Sequence, residues 1–286
     1  MLKKKVPIIS NQLRKMFTAQ GWNKSSKDYQ KFSKNVSLQH ATDSLEPSGI
    51  KKLIQHQNKL QILDVACGPA DIALEIAKLS EKNNSELKIF STDFSQEMIK
   101  LALENTKDYE NKCKCLVMDG NKLDFSDGLF DYTMSFFGLF YFSDRKTGLG
   151  EMQRVLKKGG KAIIAFWKKN PFPDVVKETL SNSGSKMPSH VQTLSPNQMI
   201  ENDLKEVGFE FVEIVDNEVT VKFEEFEDFY DGVIATPGFK IILSKMDDQQ
   251  RDDFYKRLKE NARKVFSEDG KSANYTTSAS FAIATK

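Results

Sequence analysis

Cysteine and histidine are scarce in this chain, and neither residue type forms a recognisable set. The 286 residues include three cysteines and three histidines. Cys67, Cys113 and Cys115 show neither a disulfide framework nor C-x-x-C spacing, which favours a reducing compartment, the cytoplasm, and disfavours a structural metal. No Ser-His-Asp triad and no metal-ligand set stands out, so we expect no metal site.

Long apolar runs and a marked charge excess are also absent. No apolar stretch reaches the length of a membrane span, so we expect none. The 42 basic and 40 acidic residues leave a formal net charge of +2, which gives no global reason to expect nucleic acid as a partner. With 39% hydrophobic residues the chain can bury a full core, and we expect a soluble globular protein. The oligomeric state does not follow from these features.

The most informative stretch lies between residues 62 and 79. Ile62, Leu63 and Val65 predict a short buried strand, small residues follow in a tight turn, and apolar positions then continue on one face of a helix. The backbone of such a turn can approach a nucleotide-like ligand closely. A dinucleotide is disfavoured, because Asp71 replaces the third glycine of G-x-G-x-x-G and Asp64 places a carboxylate close to where a pyrophosphate would lie. A carboxylate suits a ligand that carries an ammonium and a sulfonium.

This stretch resembles the first motif, D-x-G-x-G-x-G, of the class I methyltransferases that depend on S-adenosylmethionine (SAM). Asp64, Gly68 and the spacing match, while Ala66 and Ala70 stand where the first and third glycines are usual. Both alanines require an unstrained φ at their positions.

The next two strand signals end in acids, as the resemblance requires. Residues 87–93 predict a second strand, with Ser95 as the N-cap of a helix over 96–105, and the resemblance implies that Asp93 accepts from both ribose hydroxyls. Residues 115–120 predict a third strand. Asp119 then meets the adenine amine and Met118 the ring, although a surface turn acid is an equal alternative for Asp119.

Aromatic residues before the core in many family members touch the methionine end of SAM, and here Tyr29 is preferred over Trp22, which more often serves in packing. The cofactor contacts implied are Tyr29, Asp64, Ala66, Gly68, Asp93, Phe94, Met98, Met118, Asp119, Gly120 and Ser135.

Further strands and helices complete the predicted fold. Strands are predicted over 130–137 and 161–167, separated by a helix over 151–156 that stops at Lys157-Lys158-Gly159-Gly160 with glycine available for the C-cap, similar to the family's R-V-L-K-P-G-G element. Residues 170–173 should break regular structure and 181–195 should form a loop, followed by a helix to Gly208 and a strand at 211–215. The alternating residues 218–223 either extend that strand or pair with it. Helices are predicted between 226 and 266, interrupted at 236–238, and a last strand over 279–284.

Apolar strands that alternate with helices predict an α/β fold with a doubly wound, mostly parallel sheet. The resemblance implies seven strands, the last of them antiparallel, and a helical insertion before that strand which caps the substrate pocket. We therefore expect an N-terminal helical lid over 1–55, the SAM-binding core over 56–170, and the remainder of the sheet with the helical cap insertion over 171–286, all as one domain.

The first 27 residues contain seven basic residues and no acid. Such a segment could be a mitochondrial transit peptide. An apolar face between Ile8 and Phe17 favours the alternative, a lid helix over the cofactor.

The acceptor class is inferred from the end of the fourth strand. Ser135-Phe136-Phe137-Gly138 stands where enzymes acting on nucleobase amines or glutamine carry N/D-P-P-Y, and Phe137-Gly138-Leu139 resembles the F-G-L element of the quinone-ring C-methyltransferases, although residues 140–142 depart from their pattern. The expected acceptor is a small aromatic or lipophilic molecule. The predicted substrate pocket comprises Phe136, Phe137, Tyr141 and Trp167.

Methyl transfer by in-line displacement needs near-attack geometry and exclusion of water more than a conspicuous acid or base. His190 and Tyr141 are the only candidates for a catalytic role, and a solvated loop histidine is the commoner reading of His190. Two alternatives stay open: a subunit with the methyltransferase fold but without turnover, which Ala66 and Ala70 permit, and an NAD-type oxidoreductase, which Asp64 and Asp71 disfavour.

Overall fold

The computed structural model describes residues 18–23, 26, 29–30, 33–56, 59–169, 171–181, 197–235, 239, 242–243, 246–264 and 272–286. The predicted lid helix over 8–17, most of the predicted loop over 181–195 with His190, and the predicted helix break at 236–238 lie outside these residues.

Seven strands form a single mixed sheet. They are β1 (Leu60–Val65), β2 (Leu87–Asp93), β3 (Cys113–Val117), β4 (Phe130–Phe136), β5 (Leu156–Lys169), β6 (Phe211–Phe223) and β7 (Ala273–Thr285). Their order is β3-β2-β1-β4-β5-β7-β6. The first five strands pair in parallel, and β7 runs antiparallel to both β5 and β6. The predicted doubly wound sheet with an antiparallel last strand is confirmed.

Ten α-helices accompany the sheet within the described residues. They are α1 (Ala19–Asn23), α2 (Leu38–Asp43), α3 (Ile50–Gln55), α4 (Asp71–Lys82), α5 (Gln96–Asn105), α6 (Arg145–Val155), α7 (Pro171–Ser181), α8 (Asn197–Glu206), α9 (Phe226–Ala235) and α10 (Asp248–Arg263). A π-helical turn over Ser33–Ser37 precedes α2.

Helices cover both faces of the sheet. One buried cluster joins Ile62 of β1 and Ile89 of β2 to residues of α2, α3 and α4, and the cluster on the opposite face joins Leu63 to residues of α6 and α8. A third cluster contains Phe229 and Phe254 and packs α7, α9 and α10 together against the end of β6. Alternate residues of β1 therefore point to opposite layers, as expected for a strand buried on both faces.

The junction before β5 differs from the prediction. Helix α6 ends at Val155 and β5 begins immediately at Leu156, so no glycine caps the helix. Gly159 has a φ of 76° inside the extended segment, and its N–H donates to the carbonyl of Lys286, 2.8 Å away. Glycine was predicted to cap the helix at this position, but Gly159 instead takes part in the backbone hydrogen bonding with Lys286.

Residues 171–181 form α7, where Pro171 was predicted to break regular structure; proline is tolerated at a first helical position because that N–H has no helical partner. Residues 218–223 extend the strand predicted at 211–215, which is one of the two alternatives from the sequence, since all thirteen residues of β6 pair in register with β7.

Candidate cofactor and acceptor site

A cavity of about 430 Å³ lies beyond the carboxyl ends of β1, β2 and β4. Residues after all three strands line it, and the N-terminal segment adds Trp22, Tyr29, Ser37, Leu38 and Ala41. Ligand sites of open α/β sheets occupy this position, because loops from neighbouring parallel strands meet there.

Most of the predicted site residues line this one cavity. They are Tyr29, Ala66, Gly68, Asp93, Phe94, Met98, Met118, Asp119, Gly120, Phe136, Phe137 and Tyr141. Asp64, Ser135 and Trp167 are not among the lining residues. The predicted site and the observed cavity thus coincide, except that the side chains of Asp64, Ser135 and Trp167 do not line it.

The turn between β1 and α4 has left-handed backbone at alternate residues. The φ angles are 58° at Ala66, 54° at Gly68 and 59° at Ala70. The expectation of an unstrained φ at the alanines is wrong, because the turn keeps the conformation that glycine normally supplies. The cost is roughly 1–2 kcal/mol for each alanine. Hydrogen bonds from Cys67 N to Thr92 O and from Ala70 N to Cys67 O, both 3.0 Å, hold the turn in place.

Asp93 closes the far side of this turn. Its side chain is buried, and its two oxygens accept from Gly68 N at 3.0 Å and from Ser95 N at 2.9 Å. Burial raises the pKa of Asp93 to about 6, although the two backbone N–H groups favour its ionised form. The acid at the end of β2 is thereby oriented into the cavity, where a hydroxyl donor of a ligand can reach it.

Asp64 lies one layer below the lining and is 1% exposed. Its Oδ2 has no hydrogen-bond partner among the described residues. Burial, followed by the nearby carboxylates of Asp93 and Asp71, raises the pKa of Asp64 to about 8. A buried carboxylate oxygen without a partner requires a proton or a cationic ligand nearby.

The loop after β3 supplies the third side. Asp119 is exposed and accepts from Asn121 N at 2.9 Å, so its carboxylate forms an Asx turn at the cavity rim. A Cβ at Gly120 would overlap the ring of Phe142, and this close packing explains the glycine. Asp119 can form the Asx turn and line the cavity at the same time. The surface-turn interpretation and the predicted adenine contact are therefore compatible, and the adenine contact stays a prediction.

The opposite half of the cavity is aromatic. Phe137 has a φ of 61°, which is unusual for a bulky residue, and its ring stacks on Trp167 with centroids 3.9 Å apart and planes 18° apart. Trp167 therefore supports Phe137 from behind. Ser135 is fully buried, and its Oγ has no partner among the described residues.

Tyr141 and the N-terminal segment enclose the remaining side. Trp22 meets Tyr29 edge to face at 5.1 Å and Tyr141 at 4.9 Å. Burial raises the pKa of Tyr141 to about 12, and burial together with Tyr141 raises the pKa of Tyr29 above its usual range. Both phenols are therefore protonated at neutral pH.

Several lining residues were missed from the sequence. They include Trp22, Ser37, Leu38, Ala41, Asp71, Asn121 and Arg145. Trp22 has an aromatic signal in the sequence, but packing is its commoner role. Ser37, Leu38 and Ala41 carry no local signal, because their place in the cavity depends on how the segment folds back onto the sheet.

Within the described part of the chain, no group of three or more His, Cys, Asp or Glu side chains could hold a metal ion. No helix among the described residues is long and apolar enough to cross a membrane.

Comparison with known proteins identifies the family. The model of the ubiE/COQ5 methyltransferase family matches residues 11–183 of the 286, more than half of the chain. The chain belongs to the ubiE/COQ5 methyltransferase family. This confirms the likeness to quinone-ring C-methyltransferases that the F-G-L element indicated.

Individual relatives match over the core. The chain is 37% identical over 115 residues to a ubiquinone/menaquinone biosynthesis C-methyltransferase UbiE of Geotalea uraniireducens, and this match covers 40% of the chain and 48% of that protein. It is 35% identical over 114 residues to a demethylmenaquinone methyltransferase of Staphylococcus carnosus, covering 40% and 46%. The matched segment spans about half the length of these curated relatives.

Solved structures share the fold. The protein BH2331 of Bacillus halodurans superposes with a TM-score of 0.53 at 21% identity, covering 84% of this chain and 99% of that one. Phosphoethanolamine N-methyltransferase 2 of Haemonchus contortus, solved with S-adenosyl-L-methionine, superposes with a TM-score of 0.52 at 19% identity, covering 100% and 61%. At these identities the likeness shows the methyltransferase fold.

Proposed function

We propose that this protein transfers a methyl group from SAM to a small, flat aromatic acceptor of the quinol type. The observation that carries the proposal is a single cavity with two chemically different halves. One half lies next to the buried carboxylates of Asp64 and Asp93, near the ends of β1 and β2. The other half is lined by aromatic rings of residues that follow β4. An electrophilic cation and an electron-rich ring would thus meet in a space that largely excludes water.

The residues present fit SAM on the evidence of the site itself. Asp64 Oδ2, which has no partner among the described residues, suits a cationic ligand in the same region, and Gly68 lines the cavity with backbone alone. Asp93 would accept from the ribose hydroxyls, and Met118 and Asp119 would meet the adenine. When bound, SAM supplies an electrophilic methyl group on its sulfonium.

The chain's own part in the reaction is to position and to shield. Phe136, Phe137 and Tyr141 would hold a planar ring against the methyl-bearing end of the site. The phenols of Tyr29 and Tyr141 stay protonated, so they can donate hydrogen bonds to ring oxygens of the acceptor. The acceptor's ring carbon would gain the methyl group as S-adenosylhomocysteine leaves, and would then lose its own proton to water, so the main task of the chain in this in-line displacement is geometry.

The acceptor class is supported by the aromatic half of the cavity and by the named relatives, which include a demethylmenaquinone methyltransferase. Residues 140–142 depart from the pattern of quinone-ring enzymes, and Phe140 and Phe142 both line the cavity. We therefore propose a quinol-like aromatic ring as the acceptor class, and the proposal names no individual substrate.

The test begins with calorimetric titration of SAM, S-adenosylhomocysteine and NAD. We expect micromolar binding of the two adenosyl ligands and none of NAD. Methyl-labelled SAM is then incubated with a chemically reduced, short-chain demethylnaphthoquinol, and label is expected on the ring carbon. Binding without turnover, also with a panel of phenols and amines, would favour the non-catalytic subunit; silence from all three ligands would refute the cofactor assignment.

A further inference from the structure

His40 is a fully buried histidine that does not line the cavity. It lies on α2, and its Nε2 is 2.7 Å from Thr277 Oγ1 on β7. Its Nδ1 is 2.9 Å from the amide nitrogen of Asn217 on β6. Two strands at the far side of the sheet thus hold one imidazole from the N-terminal segment.

The hydrogen bonds determine the tautomer of this ring. The amide nitrogen of Asn217 can only donate, and it also donates to Asp43 Oδ2 at 3.0 Å, which supports its assigned orientation. His40 Nδ1 therefore accepts, and Nε2 carries the proton and donates to Thr277. The Thr277 hydroxyl in turn donates to Val219 O at 3.2 Å. Burial lowers the pKa of His40 to about 4, and the Asp43 carboxylate offsets only part of this, so the ring is neutral.

The same ring supports the aromatic wall of the cavity. Its centroid lies 5.3 Å from that of Trp167 at 85°, and 6.2 Å from that of Phe137 at 68°. Phe137 is the residue with left-handed backbone that stacks on Trp167. A bulky residue in that conformation persists only where its surroundings over-determine it. Phe137 belongs to a buried cluster with Ala165, Ala279 and Phe281, and its ring contacts are with Trp167, on which it stacks, and with the edge of His40.

We propose that His40 is a positioning residue for the acceptor: held by Asn217 and Thr277, its imidazole fixes the Phe137–Trp167 stack and so sets the shape of the aromatic half of the cavity. The inference rests on the proposed function, which assigns that half to the acceptor. His40 touches neither of the proposed ligands, and its effect passes through Phe137.

The test compares His40→Ala and His40→Gln with a matched control, Tyr132→Phe. The control loses a buried hydrogen bond from Tyr132 Oη to Ser48 O, 3.1 Å, which also ties the N-terminal segment to the sheet, but Tyr132 does not line the cavity. We expect His40→Ala to raise the KM for the reduced demethylnaphthoquinol at least tenfold, with the Kd for SAM changed less than twofold. His40→Gln should recover part of the loss, because its amide can still donate to Thr277. Tyr132→Phe should lower the Tm and leave the KM within twofold.

A second readout does not depend on turnover. The chain has two tryptophans, so Trp22→Phe leaves Trp167 as the only one. In that background we expect His40→Ala to diminish the near-ultraviolet circular dichroism of Trp167, and Tyr132→Phe to leave it intact. If the wild-type protein methylates no quinol, the proposed function fails while these spectra still decide the role of His40.

The proposal is overturned if His40→Ala leaves both the KM and the Trp167 spectrum unchanged, or if Tyr132→Phe changes them as much. Should His40→Ala fail to fold, Asn217→Ala leaves the imidazole in place but removes the donor to its Nδ1, together with the hydrogen bond from Asn217 to Asp43 Oδ2, and should raise the KM at least threefold with the Trp167 band reduced. An unchanged band in that variant would count against the proposal in the same way.

Discussion

Ala66 and Ala70 hold the left-handed backbone of the β1–α4 turn without the glycine that makes it inexpensive. Neither substitution has changed the turn, since Gly68 between them keeps a φ of 54° and the hydrogen bonds to β2 are formed. The strain is offset by burial of the surrounding segment, as is usual for strained backbone at ligand sites.

Replacing Ala66 by glycine should therefore stabilise the protein. We expect a gain of about 1 kcal/mol in the free energy of unfolding, because glycine adopts a φ of 58° without the Cβ clash. Urea denaturation measures the change. Ala73→Gly, in the interior of α4, is the control and should cost about 1 kcal/mol; a loss of stability in both variants would show that the Cβ of Ala66 contributes more than its strain costs.

Substitution of Asp93 tests cofactor binding directly, because backbone hydrogen bonds from Gly68 N and Ser95 N hold its two carboxylate oxygens at the cavity. Asp93→Ala should weaken SAM binding by about 1.5–3 kcal/mol, the range for hydrogen bonds to a charged group. Calorimetry gives the change directly. Asp131→Ala is the control. Asp131 lies at the start of β4, and its carboxylate accepts a hydrogen bond from Gln61 N at 2.8 Å, so this variant should lower stability and leave SAM binding unchanged. Equal SAM affinity in wild type and Asp93→Ala would mean that the acid has no role at the cofactor.

Among the elements, α6 depends on a glycine for its packing. The ring of Phe142 lies between Gly120 and Gly148, and a Cβ at either glycine would overlap it. Gly150, two residues further along the same helix, has no described heavy atom within 4 Å of an added Cβ. One helix thus contains a glycine required by packing and one that is not.

Alanine substitutions should separate the two positions. Gly150→Ala should stabilise the protein by about 0.5–1 kcal/mol through helix propensity. Gly148→Ala should destabilise it by about 1 kcal/mol, because the new methyl group displaces the Phe142 ring, which already packs against Gly120 on its other side. The same variant should weaken SAM binding, because Phe142 lines the cavity. Unfolding in urea and calorimetry test both statements. Equal stabilisation by both alanines would show that Phe142 moves freely.

In the molecule as a whole, the buried acids make stability depend on pH. The pKa of Asp64 is raised to about 8 in the folded protein, so the folded state binds the additional proton between the unfolded pKa and 8. Its contribution to stability is complete at low pH and is lost as pH rises through 8. His40 acts in the opposite direction, but only between about pH 4 and its ordinary value of 6.5.

Between pH 6.5 and 8 the Asp64 effect should therefore dominate. We expect the free energy of unfolding without cofactor to fall by up to about 2 kcal/mol across that interval, at about 1.4 kcal/mol per pH unit for one proton. Asp64→Asn, which resembles the neutral acid, should reduce the fall to less than about 0.5 kcal/mol. Urea unfolding at four pH values measures both slopes; parallel slopes would show that Asp64 is ionised throughout.

How far the sequence reaches differs between elements. The strands that contain Asp64 and Asp93 were predicted correctly, because each combines a buried apolar run with a small-residue turn or an N-cap in adjacent residues. Helix α7 was missed, since Pro171 suggested a break and its buried contacts are with α10, about eighty residues later. The apolar face over 8–17 and His190 lie outside the described residues, so the lid helix and the role of His190 stay predictions, as does the division at residues 55 and 170.

From the sequence follow the parallel sheet, the family likeness and, through that likeness, the antiparallel last strand and most of one cavity. The sheet and the likeness depend on periodicity and on residue types at strand ends, which are local properties of the chain. Only the tertiary structure shows that Phe137 takes a left-handed conformation, that Trp167 stacks on it, and that Asp64 Oδ2 has no partner among the described residues. It alone shows that His40 is neutral, because its partners lie 177 and 237 positions away and no local pattern connects them. Burial and long-range contacts set conformations and protonation states, and these exist only once the chain has folded.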